Sequence, residues 1–518
     1  MPARVSKRLV GSLVACVVGA AACHGSASDG MPLTGDGGAP AHAVPLTGYA
    51  SGSRLRARVL DGGGEPVRFE GFVDTKLGVR CDFAVAQDGV VRCLPTSDSS
   101  TYFADSACSQ PLIVAAPGCA APPPYVRLSS GPATFCAWEP RLHAGPDEVL
   151  APSSPLGPVP GTLYSTNGSS CGPATSPPAA SSTLYTAHVI APGTFVAASE
   201  ATDPRGARIG ARVVLAQDGA AEVIGYFDER AHAPCDVIQE SIGWWSDLCI
   251  PTTMAWASDW ADAACTQVAA DIGHQCPKPT IAVNATFMGN CTTEPMIHTY
   301  AIGASLATAY AGNGTGGCSA VAADPNGELY FATAGPIDPA TLPAVSIEPI
   351  GSSALRTYFR TSPDGVPILP AGLGVLPNSQ GALFRDVARD ADCWATQLAD
   401  GSWRCVPAAY VQLSDPRIFA DAACTQEVVD AGDFSPPCPP TAPVVAVRVG
   451  AASCNSDAGS VESVYALGAP MPGGGTVYSM AQTGGPCLAT SVPSGDRVYP
   501  LTGTIEPSTL PPITERTE

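Results

Sequence analysis

The sequence predicts an all-β fold made of three tandem, disulfide-braced modules, and three observations support this prediction. An eight-residue pattern at residues 103–110 returns at 260–267 and at 419–426, each time around a central Asp-x-Ala-Cys. The 518 residues include 54 Gly and 52 Pro, which favour turns and short strands over long helices. Extended helical periodicity is hard to find, and its best candidate is residues 256–270.

Each module is predicted to begin with a β-hairpin that carries its first two cysteines. In the first and third modules an Asp-Gly pair, Asp88-Gly89 and Asp400-Gly401, separates two alternating apolar runs, which is a strong hairpin signal. The flanking cysteines are 12 residues apart in these two modules and 14 apart in the second, where the Asp-Gly pair is missing. Cysteines placed in this way can face each other across a hairpin within disulfide reach.

Cysteine is the most informative residue type in the sequence. Eighteen of the 20 cysteines divide into six per module, and an even number behind an export signal predicts disulfides. No Cys-x-x-Cys occurs, which argues against zinc-ribbon, thioredoxin-like and iron–sulfur sites. We hypothesise local pairing, in which the first cysteine joins the second, the third the fourth and the fifth the sixth. The eighteen are Cys81, Cys93, Cys108, Cys119, Cys136, Cys171, Cys235, Cys249, Cys265, Cys276, Cys291, Cys318, Cys393, Cys405, Cys424, Cys438, Cys454 and Cys487.

The second half of each module repeats an aromatic-then-cysteine pattern. Tyr164, Tyr310 and Tyr478 each precede the sixth cysteine of their module, much as Phe103 precedes Cys108 in the first half. Each module is therefore predicted to hold two small antiparallel sheets, six in all, and a six-bladed β-propeller is the candidate closed arrangement. One short helical turn per module, around the shared Asp-x-Ala-Cys, remains an alternative.

Two sets of aspartates recur in all three modules. Asp105, Asp262 and Asp421 each lie three residues before a cysteine, and Asp74, Asp228 and Asp386 lie near the first cysteine. They could be cation ligands, but Asp also accepts backbone N–H bonds and fixes turns. Because a residue kept in every internal copy is better explained by the shared fold, we expect these aspartates to be structural.

The N-terminus predicts export. Residues 1–22 read as a signal peptide, because a basic start precedes an apolar run that is too short to span a membrane. Cys23 follows a sequence that resembles a bacterial lipobox, so we expect it to be lipidated, although cleavage after Ala22 to give a secreted protein is the alternative. The predicted organisation is signal peptide 1–22, lipid-anchor cysteine and flexible linker 23–50, modules 51–203, 204–351 and 352–512, and C-terminal tail 513–518.

The net charge of −20 excludes some partners. An acidic surface repels phosphate backbones and anionic headgroups, so we expect no nucleic-acid binding and membrane contact only through the N-terminal lipid. We also expect no cofactor, no metal and no catalytic residue. The G-x-S-x-G at 168–172 contains a disulfide cysteine and is followed by prolines, and the G-x-G-x-x-G at 312–317 opens no recognisable helix.

Two adjacent tryptophans are the only candidate ligand contacts. Trp244 and Trp245 lie where the second module loses its Asp-Gly turn. Neighbours in a strand point to opposite faces, so at least one of the two rings is a candidate for exposure and for binding a sugar or a protein. Core packing is the alternative for both.

The run Arg-Cys-Leu/Val-Pro, followed by Phe-Ala-Asp-x-Ala-Cys-x-Gln, resembles the cysteine-rich repeats of uncharacterised secreted or lipid-anchored proteins of high-GC Gram-negative bacteria. The resemblance implies a cell-envelope location, as an outer-membrane lipoprotein or a secreted protein, and implies no catalytic residue. We therefore expect a binding or display scaffold for an extracellular protein or glycan. The alternatives are an envelope hydrolase on a propeller scaffold and a passive coat protein.

Overall fold

The structure is a computed structural model built from strands, turns and three short 3-10 turns. The described residues all belong to one unit, His42–Glu518. The structure describes residues 48–518 except for 65–66, 97–101, 116–118, 120, 130–145, 157–160, 168–169, 176–177, 179–181, 204–207, 242–243, 274–277, 287–295, 313–316, 323–327, 352, 362–366, 371–382, 414–416, 431–443, 454–455, 473, 481–484 and 494–495.

The strands follow the three sequence repeats. The first repeat holds β1 (Tyr49–Ala50), β2 (Leu55–Asp61), β3 (Arg68–Asp74), β4 (Val79–Val85), β5 (Val91–Pro95), β6 (Tyr102–Phe103), β7 (Pro111–Ala115), β8 (Val126–Ser129), β9 (Asp147–Pro155), β10 (Tyr164–Asn167), β11 (Ser170–Pro173), β12 (Thr183–Val189) and β13 (Ala197–Asp203). The second holds β14 (Ile209–Ala216), β15 (Ala221–Asp228), β16 (Ala233–Ser241), β17 (Trp244–Pro251), β18 (Met254–Trp260), β19 (Val268–Gly273), β20 (Ile281–Thr286), β21 (Met296–Leu306), β22 (Thr308–Gly312), β23 (Cys318–Ala322), β24 (Glu328–Pro336) and β25 (Ser346–Ile350). The third holds β26 (Leu355–Thr361), β27 (Pro367–Pro370), β28 (Leu383–Asp386), β29 (Ala391–Gln397), β30 (Trp403–Pro407), β31 (Tyr410–Leu413), β32 (Arg417–Phe419), β33 (Glu427–Asp430), β34 (Val445–Ser453), β35 (Ser456–Leu467), β36 (Met471–Pro472), β37 (Thr476–Met480), β38 (Leu488–Ser491), β39 (Arg497–Thr504) and β40 (Pro512–Thr517). The 3-10 turns are Pro192–Thr194, Pro339–Thr341 and Pro507–Thr509.

The first halves of all three repeats share one 17-stranded sheet. Within each repeat four strands pair in succession as an antiparallel meander: β2 to β5, then β14 to β17, then β26, β28, β29 and β30. The alternation read from the sequence decides which side is buried. Leu55, Ala57 and Val59 of β2 are fully buried in a core with Phe72 and Phe83.

A bridging strand joins each repeat to the next. β13 starts against β5 of its own repeat and continues along β14 of the next. β40 does the same, since Pro512 and Ile513 pair with β30 while Thr514 to Thr517 pair with β2. At the remaining junction Cys249 N donates to Pro343 O at 2.8 Å, Leu248 bridges Ala344, and β25 pairs with β26. The pairings therefore form a closed circuit, and residues 513–517 of the predicted tail 513–518 belong to the strand that completes it.

Charged side chains reinforce the closing strand. Glu515 of β40 accepts hydrogen bonds from Arg58 at 3.0 Å and Arg80 at 3.2 Å in the first repeat. It also accepts one from the indole Nε1 of Trp403 in the third repeat, at 2.9 Å. Burial and the neighbouring Arg58 lower the pKa of Arg80. One carboxylate therefore bonds to side chains from both ends of the chain.

The second halves form three separate sheets with a common strand order. In the second repeat the strand order is β19, β24, β21 and β20. β18 pairs with β19 in antiparallel and with β20 in parallel, so these five strands form a closed sheet. The first and third repeats place β7, β12, β9, β8 and β33, β39, β35, β34 in the same order. Each second half packs on the fourth strand of its own meander, through cores that include Leu94, Ile250 and Val406.

The all-β prediction is confirmed, and two finer expectations need correction. The sheets do not divide cleanly into three tandem modules with two small sheets each, because the first halves are hydrogen-bonded into one sheet. The described strands show no β-propeller. Alternation of apolar and polar residues predicts strands but carries no information on which distant strand becomes the partner.

The helix considered for residues 256–270 is also absent. That stretch forms β18, a turn around Asp262, and β19. Among the described residues no helix has the length and hydropathy needed to cross a membrane.

The second set of repeated aspartates anchors an arginine beside each 3-10 turn. Asp74, which is fully buried, receives two hydrogen bonds from the Arg54 guanidinium, at 2.8 and 2.6 Å. Arg54 also donates to Thr194 O at 2.8 Å. The Asp74 carboxylate further accepts the N–H groups of Lys76 and Leu77, so its role is structural, as predicted. Arg54 thus connects the shared sheet to the chain that returns from the second half.

The second and third repeats reach the same arrangement by different routes. Arg208 occupies the position of Arg54 and contacts Asp228 and Thr341 O. The third repeat has Ala354 there, and Arg389 instead donates to Asp386 at 2.6 Å and to Thr509 O at 2.6 Å. The guanidinium is therefore kept at this place in the fold although its position in the sequence changes.

Replacing Arg389 by alanine is expected to destabilise the protein by about 1–2 kcal/mol, because the buried Asp386 loses its cation while the arginine itself is half exposed. Adding Ala354→Arg in the same chain should restore most of this stability, since the new side chain starts where Arg54 and Arg208 do. Urea unfolding of the single and double variants measures both effects. A double variant no more stable than Arg389→Ala would contradict the equivalence.

Candidate functional site

The repeated Asp-x-Ala-Cys segment forms the same exposed turn in each repeat. The aspartate carboxylate accepts the backbone N–H groups two and five residues further on, and the cysteine adopts a positive φ of 51° to 54°. The bonds are 2.9 and 2.7 Å for Asp105, 2.9 and 2.6 Å for Asp262, and 3.0 and 2.6 Å for Asp421. A left-handed conformation is costly for a residue with a Cβ, so the aspartate has to hold it in place.

These hydrogen bonds settle the two interpretations of the first aspartate set. The bond from the Gln267 N–H lowers the pKa of Asp262, and the bond from the Gln426 N–H lowers the pKa of Asp421. For Asp105 desolvation would raise the pKa, but its backbone hydrogen bonds outweigh this and the pKa is lowered. Each carboxylate therefore stabilises its own turn through backbone hydrogen bonds, which is the structural role expected for these aspartates.

Each turn is joined by a disulfide to a distant hairpin, which corrects the predicted pairing. The first cysteine joins the second in all three repeats, as Cys81–Cys93, Cys235–Cys249 and Cys393–Cys405. The third joins the sixth, as Cys108–Cys171, Cys265–Cys318 and Cys424–Cys487, so third-to-fourth and fifth-to-sixth pairing is wrong. Cys119 is also disulfide-bonded. Cys136, Cys276, Cys291, Cys438 and Cys454 lie outside the described residues.

An aromatic pair explains why the third and sixth cysteines meet. The residue before each turn is opposite a tyrosine on the neighbouring strand: Phe103 with Tyr164, Trp260 with Tyr310, and Phe419 with Tyr478. This register brings the turn that follows the aromatic residue to the strand that follows the tyrosine. The aromatic-then-cysteine pattern in the sequence contained this signal, although it was interpreted as evidence for duplicated units.

The hairpins held by these disulfides are β10–β11, β22–β23 and β37–β38, and we call them the clamped hairpins. Their outer strands contain no charged residue. Among the described residues each outer strand pairs only with its own hairpin partner. All four residues of β38 are exposed, with Leu488 at 60%. β38 therefore presents an uncharged strand edge to solvent, next to a disulfide that joins its hairpin to the Asp421 turn.

The other candidate residues do not join this site. The backbones of Trp244 and Trp245 lie in β17, but their side chains are outside the described residues, as are Cys23 and the rest of 1–47. His188 is hydrogen-bonded through Nδ1 to Ser153 Oγ at 2.8 Å on an exposed sheet surface. Among the described residues no carboxylate hydrogen-bonds that histidine, so a complete nucleophile–base–acid arrangement is not assembled there.

Comparison with known proteins gives a family without an assigned activity. A model of a family of unknown function, DUF7481, matches residues 51–499. No curated protein and no solved structure matches the chain.

Acid is expected to weaken the three turns. Because the pKa of each turn aspartate is lower in the folded state, its stabilisation is complete above the unfolded pKa of about 3.9 and is lost as the pH falls through the folded value. A triple Asp105→Asn, Asp262→Asn, Asp421→Asn variant should therefore lose less stability on acidification than the unchanged chain. Thermal unfolding across this pH range, with the exposed Glu506→Gln as control, measures it. Parallel pH profiles would contradict the assignment.

The third-to-sixth and first-to-second disulfides should contribute differently to the free energy of unfolding. The Cys424–Cys487 bond closes a separation of 63 residues and the Cys393–Cys405 bond one of 12. Chain-entropy arguments predict that replacing the two cysteines by serines lowers the free energy of unfolding by about 4 kcal/mol for the longer loop and by about 3 kcal/mol for the shorter one. Urea unfolding gives the two values, and non-reducing peptide mapping checks the connectivity. A peptide linking Cys424 to Cys438 would contradict the third-to-sixth pairing.

Proposed function

Because this chain belongs to the family of unknown function DUF7481, we propose its role from its own structure: it is an exported scaffold that displays binding hairpins to an extracellular protein. The observation that supports the proposal is that the outer strands of the clamped hairpins are uncharged and that one of them, β38, is exposed along its whole length. A chain that gains nothing from the β38 edge would be expected to place a charge or a proline within that strand, since open edges promote unwanted association.

The proposal treats residues 51–203, 204–351 and 352–512 as three interlocked modules. The support is the recurrence of the same strand order, the same turn and the same two disulfides in each repeat. The bridging strands would then fix the modules in one arrangement. Three hairpins held on one scaffold can engage a repetitive partner with higher avidity than a single hairpin.

The disulfides indicate an oxidising environment, which is extracellular or in the cell envelope. We further propose that the chain is exported through residues 1–22 and anchored by a lipid on Cys23, or else secreted. From Cys23 to Tyr49 there are 49 − 23 = 26 residues, which span at most about 90 Å. An anchored scaffold could therefore present its hairpins beyond the immediate membrane surface.

The alternatives depend on other observations. Glycan binding would depend on the side chains of Trp244 and Trp245. A hydrolase would require further groups around the exposed Ser153–His188 pair. A passive coat protein would leave the clamped hairpins without a ligand.

The binding proposal predicts saturable binding of residues 24–518, with oxidised disulfides, to envelope or host-surface extracts immobilised on a sensor. Binding should disappear when the extract is treated with protease and persist when its glycans are oxidised with periodate. Periodate-sensitive binding that is also lost in Trp244→Ala/Trp245→Ala would indicate a glycan ligand instead. No saturable binding would overturn the scaffold proposal in favour of a coat protein.

A further inference from the structure

The outer strand of the third clamped hairpin, β38, has backbone groups that are unpaired among the described residues, and their direction can be assigned. Val492 N donates to Gly475 O at 3.4 Å, just beyond the pairs Ser491–Thr476 and Thr490–Val477. Bonding alternates along an antiparallel pair, so Thr490 and Leu488 direct their N–H and C=O groups towards β37. Ala489 and Ser491 therefore direct theirs away from the hairpin, into the solvent that surrounds this exposed strand.

Edge strands are commonly protected by lysine, proline, a bulge or a covering segment. Among the described residues, the four of β38 itself carry none of these features, although Pro486 and Pro493 flank the strand and limit the open edge to it. β38 reads Leu-Ala-Thr-Ser, its pairing with β37 is regular over four residues, and every residue is exposed. By comparison, the outer strand of the first hairpin ends in Pro173. Of these two hairpins, the third thus has the more accessible outer strand.

The edge is also held in place before any partner arrives. Cys487, directly before β38, is bonded to Cys424 in the Asp421 turn, and Cys487 Sγ lies 3.9 Å from Asp421 O. A preformed edge avoids part of the ordering cost of association. The bond also keeps the backbone of Asp421 close to Cys487, while the Asp421 carboxylate accepts N–H groups of its own turn.

We propose that the free edge of β38 binds an extended polypeptide segment of a partner protein by strand addition, and that this segment carries lysine or arginine beside an uncharged core. Main-chain hydrogen bonds to Ala489 and Ser491 supply the contact, as in other strand-addition complexes. The basic flank follows from the chain's net charge of −20 and from Asp421 beside the strand. A second copy of this chain is disfavoured as occupant by the same charge. The inference rests on the proposed binding function and identifies the site and the partner's chemistry.

The test uses the oxidised chain and the synthetic peptide Lys-Thr-Val-Thr-Val-Thr-Lys, with two matched controls. One control replaces both lysines by glutamate, and the other methylates alternate backbone nitrogens. Titration calorimetry should detect binding of the lysine peptide and at least tenfold weaker binding of each control. Equal binding of the lysine and methylated peptides would overturn strand addition, and equal binding of the lysine and glutamate peptides would overturn the basic preference.

Variants of the edge locate the site. Ala489→Pro removes an outward N–H and should weaken peptide binding at least tenfold, while the matched Ala489→Ser keeps the N–H and should bind as the unchanged chain does. Leu488→Lys keeps the whole backbone, adds a protective charge, and should also weaken binding, which covers the case in which the proline variant fails to fold. Unaltered binding in a folded Ala489→Pro or in Leu488→Lys would place the site elsewhere.

The same variants separate this inference from the proposed function. If Ala489→Pro and Leu488→Lys keep full binding to the surface extract, the scaffold proposal stands and the edge proposal is wrong. If the unchanged chain binds no extract, the scaffold proposal is wrong as well. Sedimentation that shows a dimer lost in both edge variants would make a second copy the occupant and overturn the partner proposal.

Discussion

The bridging strands impose the constraint on which the rest of this structure depends. A strand at the end of a meander leaves a row of backbone donors and acceptors unpaired, and each repeat satisfies that row with a strand that also begins the pairing of the next repeat. In the third repeat this strand is β40, which pairs with β30 of its own repeat and with β2 of the first repeat. Closure joins elements more than 400 residues apart, as the Arg58–Glu515 contact across 457 positions shows.

Closure also explains where free edges remain. Within the shared sheet the circuit uses both sides of the meander strands, so strand edges are left mainly in the second halves. There the third-to-sixth disulfide connects the outer hairpin to the Asp-x-Ala-Cys turn, and the aspartate keeps the cysteine in its left-handed conformation. The unpaired outer strands of the clamped hairpins and the closed sheet are therefore separate parts of the described fold, as the proposed scaffold requires.

Local features of this fold could be predicted from the sequence because they depend on neighbouring residues. The Asp88-Gly89 and Asp400-Gly401 turns form as expected, with both glycines at positive φ, and the cysteines around them are bonded. The repeated aspartates have the structural role that their recurrence suggested. The uncharged edge of β38 is equally visible in the sequence, but only the structure shows that this strand is an outer one.

Long-range features could not be predicted because several arrangements satisfy the same pattern. Pairing the third cysteine with the fourth would close a shorter loop, and nothing in the sequence excludes it. The register of the aromatic pair instead brings Cys424 to Cys487. The use of Arg389 in place of an arginine at position 354 leaves no local sign in the sequence, because its equivalence to Arg54 and Arg208 appears only in its contacts with Asp386 and Thr509 O. The shared sheet likewise depends on partners chosen at a distance, which alternation does not specify.

Native-state hydrogen exchange of the β40 amides tests closure most directly. If β40 completes the circuit, the bonded amides of Thr514 to Thr517 and of Arg58 to Asp61 exchange only through global unfolding, as slowly as those of the β13–β14 pair. Exchange of the β40 amides at rates typical of a frayed terminus, while the β13–β14 pair stays protected, would contradict the closed sheet.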